Sequence, residues 1–442
     1  MMSTSRIIAI WFFILLVLSA TAQPKIEETD TKMLHRAEKA LTDVIVQDIF
    51  SPPVASRIYL YTNMAAYETC VPLQQKFQSL THSIPGFPHI HFNGNPATIN
   101  AGLAAVYAFM KTGGKLVFSE EALQDSLKAI LINYQSLPQA VYDHSIAFGQ
   151  QVSDSIIAWA AGDHYTETRK LRRYSFSAKD GKWIPTPPGY MAAIEPNWNK
   201  IRTICMDSAS EFKPDPPPLF SKDSGSVFFQ NAYQVYSTGN KLTQEQRAVA
   251  LFWDCNPFFL NIQGHLHFAT KKLSPGGHWI SIAGIASRTR HADLVTSVAA
   301  YTITAIALFD GFISCWDEKY RSNLIRPETY INANIDETWR PLLQTPPFPE
   351  YTSGHSVIST AAAVVLTDFY GEQFRFDDSS ELEYGLPVRT FQSFMDAANE
   401  AAISRNYGGI HYMPAIENGQ KQGLLVGKKV LSRIQLLSFR VK

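Results

Sequence analysis

The chain has 442 residues, of which 39 are Lys or Arg and 39 are Asp or Glu, so it carries no formal net charge when its histidines are neutral. This length provides for one large domain or two ordinary ones, each with a buried core. A chain without excess positive charge lacks the overall field that attracts nucleic acid or an acidic membrane surface. We therefore expect no nucleic-acid partner, and any anion site must come from a local cluster of charges.

The first residues have the composition of a targeting sequence. Arg6 precedes the apolar run IIAIWFFILLVLSA, and the small-x-small triplet Ala20-Thr21-Ala22 follows it. This order predicts a signal peptide over residues 1–22, cleaved after Ala22. An uncleaved membrane anchor is the alternative, and the shortness of the run argues against it. We expect an exported protein, periplasmic or secreted, whose mature form has no membrane span.

Helical patterns dominate the first half of the mature chain. Apolar residues recur every three or four positions, which places them on one face of a helix. This pattern predicts helices over residues 31–50, 57–70, 100–113, 119–136 and 140–162. Residues 163–222 then hold the proline-rich stretches WIPTPPGY and KPDPPPLF, which predict a long irregular connector.

The second half returns to helical periodicity, and the alternation typical of strands is scarce. Helices are predicted over residues 243–254, 291–318, 354–370, 387–406 and 417–434. We therefore predict a mainly α protein made of helical bundles. An N-terminal helical scaffold with its connector, residues 23–242, is expected to form one compact unit with a C-terminal bundle, residues 243–442.

Four cysteines, Cys70, Cys205, Cys255 and Cys315, are widely spaced along the chain. This spacing is not that of a zinc site. In an oxidising compartment they can form up to two disulfides, with three possible pairings. Four buried free thiols are an equal alternative, because a chain of this length does not need disulfides for stability.

Three segments of the second half carry groups suited to an oxyanion. In KYRSNLIRP, Lys319 lies near the end of a long apolar helix and Arg326 precedes a proline. Two such cations alone are more often helix caps. In TSGHS, Ser353, Gly354 and His355 stand where a helix begins, so free backbone N–H groups and the helix dipole favour an anion there. A plain Ser cap with a surface His is the alternative for this segment.

The third segment, SRNYGGIH, ends another predicted helix. Arg405 lies on its last turn, and the Gly-Gly pair turns the chain so that His411 follows. Together the segments supply three cations, a helix N-terminus and two histidines. A buried oxyanion needs that many convergent donors, since an unpaired buried charge is prohibitively unfavourable. Two histidines allow one to bond the central atom and the other to move a proton.

The motif order K-x6-R-P, S-G-H and S-R-x5-H resembles that of the superfamily of type 2 phosphatidic-acid phosphatases and vanadium-dependent haloperoxidases. The resemblance spans residues 319–411 and implies the helical bundle of that superfamily. It implies that the following groups surround the oxyanion: Lys319, Arg326, Ser353, Gly354 and Arg405. In the haloperoxidase branch the resemblance implies orthovanadate as cofactor, His411 as its metal ligand and His355 as an acid–base group acting on hydrogen peroxide.

The phosphatase branch implies other roles for the same residues. His411 would accept the phosphoryl group and His355 would protonate the leaving alcohol. Phosphatases of the superfamily usually carry an Asp four residues after the nucleophilic His, and this chain has Ala415 there, with Glu417 as a possible substitute. A nucleophile without an orienting carboxylate loses much of its rate. This departure favours the haloperoxidase branch, and it also fits a non-catalytic oxyanion-binding protein.

Two aromatic residues bear on the halide. The resemblance implies that Trp316 and Phe348 line the halide side of the vanadate, and packing residues of the core are the alternative. A dry aromatic wall suits a weakly hydrated halide, and exported proteins of this size with these motifs resemble bacterial haloperoxidases, including iodide-specific ones. We therefore predict halide, most readily iodide, and hydrogen peroxide as substrates.

Asp254, in ALFWDCNPFF, is predicted to orient Arg326 or Arg405, with a helix cap as the alternative. The sequence does not indicate an oligomeric state.

Overall fold

The structure is a computed structural model, and it describes residues 29–74, 77–92, 94–177, 179–258, 260–263, 266–269 and 272–435. The predicted signal peptide, residues 1–22, lies outside these ranges, so its cleavage stays a prediction. Within them the chain is mainly α-helical, as the sequence predicts, with two short antiparallel hairpins.

The first half of the described chain contains seven helices: α1 (29–47), α2 (Pro52–Cys70), α3 (Ala101–Gly114), α4 (Glu120–Leu131), α5 (Gln139–Ala160), α6 (Tyr165–Lys170) and α7 (Val227–Asn240). The second half contains α8 (Gln244–Phe252), α9 (Pro275–Thr289), α10 (Leu294–Ser322), α11 (Pro327–Asn334), α12 (Gly354–Tyr370), α13 (Phe394–Tyr407) and α14 (Met413–Arg433). One hairpin pairs β1 (Leu260–Gln263) with β2 (Leu266–Ala269), and the other pairs β3 (Phe376–Asp378) with β4 (Arg389–Phe391).

The predicted helix over residues 354–370 is confirmed at both ends, while four helices were not predicted. Those four are α6, which lies within the predicted connector, and α7, α9 and α11. In α9, Ser274 caps a helix that opens with Pro-Gly-Gly, a sequence typical of turns, and nearly every face is buried, so no amphipathic pattern marks it. The predicted helix over 387–406 begins too early, because residues 389–391 form β4 and Ser393 caps α13.

Helix α10 is the centre of the fold. It packs against α2 on one side and against α9, α12 and α14 on the others. Among the described helices it is the one long and apolar enough to cross a membrane, and its apolar stretch is completely buried inside the protein. One buried hydrophobic cluster contains residues of both predicted segments, while the division into residues 23–242 and 243–442 stays a prediction.

Close packing of α14 on α12 positions two of the motif segments. A methyl group on Gly423 would lie 2.2 Å from the Val357 carbonyl oxygen, so only glycine permits this approach. The backbone N–H of Ser353 donates to the carbonyl of Ala415 at 3.0 Å. The start of α12 and the start of α14 are therefore joined directly.

All four cysteines are described, and all are buried free thiols. The alternative of four free thiols is confirmed, and none of the three possible pairings forms. Cys255 and Cys315 lie near the motif segments, whereas Cys70 and Cys205 pack in the core.

Candidate active site

The three motif segments converge on one cavity. The last turns of α10, the first turn of α12 and the turn between α13 and α14 surround a volume of about 40 Å³. One water molecule needs roughly 10–15 Å³ on this scale, so the cavity has room for a few waters or one small ion. Of the residues predicted for the site, the cavity is lined by Trp316, Phe348, Gly354, His355, Arg405, His411 and Asp254. Lys319, Arg326 and Ser353 are fully buried beside them.

Lys319 is held by backbone carbonyls. Its Nζ donates to the carbonyl oxygens of Pro349 and Glu350 at 3.1 Å and to that of Thr352. Nζ also lies 5.1 Å from the centre of the Phe348 ring. Burial lowers the pKa of Lys319 to about 8. The ammonium thus places a positive charge next to the cavity while its three N–H groups are used by the chain.

Arg326 approaches His411 directly. Its Nε donates to the Phe348 carbonyl and its Nη1 to the Ile410 carbonyl, each at 2.9 Å, and Nη1 lies 3.2 Å from Nε2 of His411. Nη2 of Arg326 is buried and has no hydrogen-bond partner among the residues that the structure describes. Burial lowers the pKa of Arg326 to about 10. A buried guanidinium with a free donor edge is poised for an anion.

Arg405 enters the cavity from the last turn of α13. Its Nε donates to Ser404 Oγ at 2.9 Å, and its Nη2 donates to the carbonyls of Ala250 at 3.3 Å and Trp253 at 2.6 Å. Burial lowers the pKa of Arg405, and the charge of Asp254 opposes that effect. The end of α8 therefore holds the guanidinium in place.

The tautomer of His411 is fixed by its neighbours. Its Nδ1 lies 2.8 Å from Glu350 Oε1. Arg326 can only donate, so Nε2 of His411 must accept, and the ring proton must sit on Nδ1 and point to Glu350. Burial lowers the pKa of His411 far below its usual range, with the charges of Arg326 and Lys319 adding to the effect. The imidazole is neutral, with its Nε2 lone pair directed at the cationic groups.

Glu350 is the functional residue that the sequence reasoning missed. Its side chain is fully buried, and Oε1 also accepts the backbone N–H of Tyr412 at 3.0 Å. The substitute considered from the sequence, Glu417, is exposed on α14. The available signal was position, because Glu350 is the one acidic residue of the segment FPEYTSGH.

His355 and the helix start face the same space. Ser353 caps α12 by accepting the Ser356 N–H at 3.3 Å, as predicted for a helix N-terminus. The side chain of His355 forms a hydrogen bond with the backbone of Trp253. The Nε2 atom of His355 has no partner in the described part of the chain. Burial first, and the charge of Arg405 second, lower the pKa of His355 far below its usual range. A neutral imidazole with a free Nε2 can take up or deliver a proton.

Trp316 and Phe348 form an aromatic wall. Their ring centres lie 5.0 Å apart. Trp316 Nε1 donates to the Ile194 carbonyl at 3.2 Å, and the Ile194 N–H donates to the Pro347 carbonyl at 3.1 Å. The irregular connector, which the sequence places at residues 163–222, therefore supports this wall from behind.

Asp254 lies in the cavity wall with a different partner from the one predicted. It forms an ion pair with Lys272. Its influence on Arg405 is exerted through charge, and the carbonyls at the end of α8 orient that arginine. The carbonyls of Phe348 and Ile410 hold the guanidinium of Arg326, so Arg405 is the arginine on which Asp254 acts, and its orienting role stays a prediction.

Comparison with solved structures identifies the family of this site. The chain superimposes with a TM-score of 0.88 on a protein described as the first bacterial vanadium-dependent iodoperoxidase, with 46% sequence identity, over 93% of this chain and 98% of that chain. The chain belongs to the vanadium-dependent haloperoxidases. The resemblance stated from the motifs is confirmed.

Other comparisons agree with the fold of a vanadium-dependent haloperoxidase. A family model described as the VCPO second helical-bundle domain matches residues 299–438. A holo-type bacterial vanadium-dependent chloroperoxidase matches with a TM-score of 0.65 and 16% identity, over 87% of this chain and 93% of that chain. An apo-type structure of a bacterial vanadium-dependent chloroperoxidase matches with a TM-score of 0.63 and 12% identity, over 87% of this chain and 95% of that chain. A search of curated proteins gave no match.

Proposed function

We propose that this haloperoxidase uses vanadate to oxidise iodide with hydrogen peroxide, forming hypoiodous acid. The observation that carries the proposal is the arrangement of His411, a neutral imidazole whose Nδ1–H is held by Glu350 and whose Nε2 faces Arg326. A metal ligand needs an unprotonated ring nitrogen and a fixed tautomer, and His411 has both. Iodide is favoured because a relative of 46% identity is described as an iodoperoxidase.

The donors present fit a tetrahedral oxyanion. The Nη2 group of Arg326 is a buried donor without a partner among the described residues, and Arg405 lines the same cavity. In this proposal His411 binds the vanadium, while Arg326, Arg405, Ser353 and the Gly354 N–H bind the oxygens. Lys319 contributes its charge at close range. When bound there, vanadate would supply the activation of hydrogen peroxide toward a halide, without a change in the oxidation state of the metal.

The protein residues carry the remaining chemistry. His355 is neutral, so its Nε2 would accept a proton from incoming hydrogen peroxide and return it to the hydroxide released when the O–O bond breaks, which gives water. The other peroxide oxygen bonds to iodine, and a proton from solvent completes the hypoiodous acid. Trp316 and Phe348 keep water away from the side on which a weakly hydrated halide approaches. Glu350 keeps the His411 proton on Nδ1 throughout.

A phosphatase is the second candidate, and one observation favours it. The sequence argument against it was the missing carboxylate after His411, and Glu350 supplies such a carboxylate from another segment. A nucleophilic histidine needs the same support as a metal ligand. The non-catalytic oxyanion-binding protein is the third candidate.

One paired assay separates the three. Mature protein loaded with vanadate is given iodide and hydrogen peroxide, and vanadate-free protein is given a chromogenic phosphate ester. Vanadate-dependent triiodide formation with negligible ester cleavage is expected, and bromide and chloride then rank the halides. Ester cleavage inhibited by vanadate, without halide oxidation, would assign the phosphatase. Vanadate binding with neither activity would assign the binding protein.

Export through residues 1–22 belongs to the same proposal. It is supported by Arg6, the apolar run and the triplet that ends at Ala22. A product that starts at Gln23, found by mass spectrometry outside the cytoplasm, is the expected result. An intact N-terminus on cytoplasmic protein would contradict it.

A further inference from the structure

A second group of titratable side chains lies behind the cavity wall. Cys255 follows α8, His278 is on α9, and Asp378 and Glu381 come from β3 and the turn after it. All four are buried, and each is at most 5% exposed. The proposed halide chemistry uses none of them. Four ionisable groups in one buried cluster need a specific means of balancing their charge.

Three ligand atoms in this cluster have the spacing of a tetrahedral site. His278 Nδ1 lies 3.4 Å from Cys255 Sγ and 3.3 Å from Glu381 Oε1, and Sγ lies 3.8 Å from the same Oε1. Ordinary zinc–ligand distances with tetrahedral angles place S and N about 3.6 Å apart, S and O about 3.6 Å apart, and N and O about 3.4 Å apart. The observed triangle agrees with these separations to about 0.2 Å.

The other ring nitrogen of His278 is paired with a carboxylate, as is usual for histidines that bind a metal. His278 Nε2 lies 2.8 Å from Asp378 Oδ2. Asp378 Oδ1 in turn accepts from the backbone N–H of Ser380 at 3.0 Å and from its hydroxyl at 2.6 Å. A carboxylate on the far nitrogen keeps the proton there and directs Nδ1 toward a metal. Trp253 stacks on the ring with centres 4.4 Å apart, which fixes the ring plane.

We propose that Cys255, His278 and Glu381 bind a zinc ion, with Asp378 holding the far nitrogen of His278. Thiolate, imidazole and carboxylate form a ligand set that zinc accepts, and three protein ligands leave one position for water. The wide cysteine spacing, which argued against zinc from the sequence, concerns sites built from several cysteines, and this site uses only one.

This zinc ion would join three separate segments of the chain, and one of its ligands lies in the cavity wall. Cys255 lines the cavity, and Trp253, two residues earlier, binds Arg405 through its carbonyl and stacks on His278. The ion would tie the end of α8 to α9 and to the β3–β4 hairpin. Its role is to stabilise the wall, and it is independent of vanadate and of the identity of the halide.

The test measures zinc in the unmodified full chain, prepared without an affinity tag. The protein is incubated with one equivalent of zinc and desalted, and zinc and vanadium are both measured by mass spectrometry. About one zinc per chain is expected, with no change in vanadium content. Cobalt in place of zinc should give a thiolate-to-cobalt absorption band in the near ultraviolet. Zinc should also raise the melting temperature.

Matched variants locate the ion. Cys255→Ser and His278→Gln should each weaken zinc binding by at least tenfold and remove the cobalt band, while Cys205→Ser and His35→Gln should retain both. Folded, unmodified protein that holds no stoichiometric zinc and shows no cobalt band would overturn the proposal, and the cluster would then be a hydrogen-bonded Cys–His–Asp array. Zinc retained in full by a folded Cys255→Ser variant would overturn it as well.

Discussion

His411 and Glu350 are 61 residues apart in the sequence, and Nδ1 of the histidine lies 2.8 Å from Oε1 of the glutamate. The same oxygen accepts the N–H of Tyr412, so Glu350 holds both the ring and the backbone beside it. The proposed metal ligand is therefore oriented by the loop before α12, the same loop whose carbonyls hold Lys319.

Glu350→Gln should weaken vanadate binding. The amide can present its N–H₂ group to Nδ1 and favour the wrong tautomer, and loss of such a carboxylate typically costs 10–100-fold in metal affinity. Vanadate titration followed by ultraviolet absorption measures the change. Glu417→Gln is the control, because Glu417 is exposed, and it should leave the affinity unchanged. Equal effects of the two variants would contradict the role given to Glu350.

His411→Ala and His355→Ala should separate binding from turnover. His411→Ala removes the proposed metal ligand, so vanadate binding and halide oxidation should both be lost. His355→Ala should retain vanadate but reduce kcat by about 10²–10⁴-fold, since only proton transfer is removed. Equilibrium dialysis with vanadate and steady-state kinetics measure the two properties. Full activity in His411→Ala would end this assignment.

Arg405→Ala should weaken the binding of vanadate while the protein still folds. A hydrogen bond to a charged group contributes about 1.5–3 kcal/mol, which corresponds to roughly 10–150-fold in the vanadate Kd. Arg321→Ala is the control, since Arg321 lies near the end of α10 and pairs with Asp317 and Glu318. A vanadate Kd that changes equally in both variants would argue against direct contact with Arg405.

Phe348→Leu should affect the halide more than the cofactor. Loss of the ring opens the aromatic wall beside Trp316, so KM for iodide should rise while vanadate affinity changes little. Phe374→Leu is a control, because Phe374 is also buried and packs with Tyr370 and Phe394 away from the cavity. An unchanged KM in Phe348→Leu would remove this residue from the halide side.

Glu38→Gln should make stability less dependent on pH. Burial raises the pKa of Glu38 to about 8, so its folded state favours the protonated form. Protonated Glu38 therefore contributes stability that is fully present below its ordinary pKa of 4.5. This stability is lost as pH rises through 8, and the free energy of unfolding falls by up to roughly 1.4 kcal/mol per pH unit. Denaturant unfolding between pH 4 and pH 9 measures it. The free energy of unfolding of the variant should exceed that of the unmodified protein most at high pH. Parallel curves of unfolding free energy against pH would contradict the prediction.

The sequence was informative where a signal is local. The Ser353 cap, the glycine after it and the apolar run that follows define α12 from adjacent residues alone. The cationic motifs were recognisable for the same reason. Helix α9 was not predicted, because its faces are nearly all buried and because its first turn contains Pro-Gly-Gly, a sequence typical of turns.

Contacts between distant segments could not be predicted in this way. Glu350 reaches His411 because the backbone turns between Phe348 and Ser353, and nothing in the local sequence indicates that direction. Cys255 and His278 meet through the packing of α9 against its neighbours. Partners of this kind depend on the fold as a whole, whereas a motif depends on a few neighbouring positions.

The carbonyl of Trp253 is shared by two residues with different proposed tasks. It accepts a hydrogen bond from Arg405 and makes the backbone hydrogen bond of His355. A shift of this one peptide group changes the position of a charge and of a proton-transfer group together. Substitutions at the end of α8 should therefore alter cofactor retention and the pH profile of turnover in the same variants. Evolution of either property through this segment is constrained by its effect on the other.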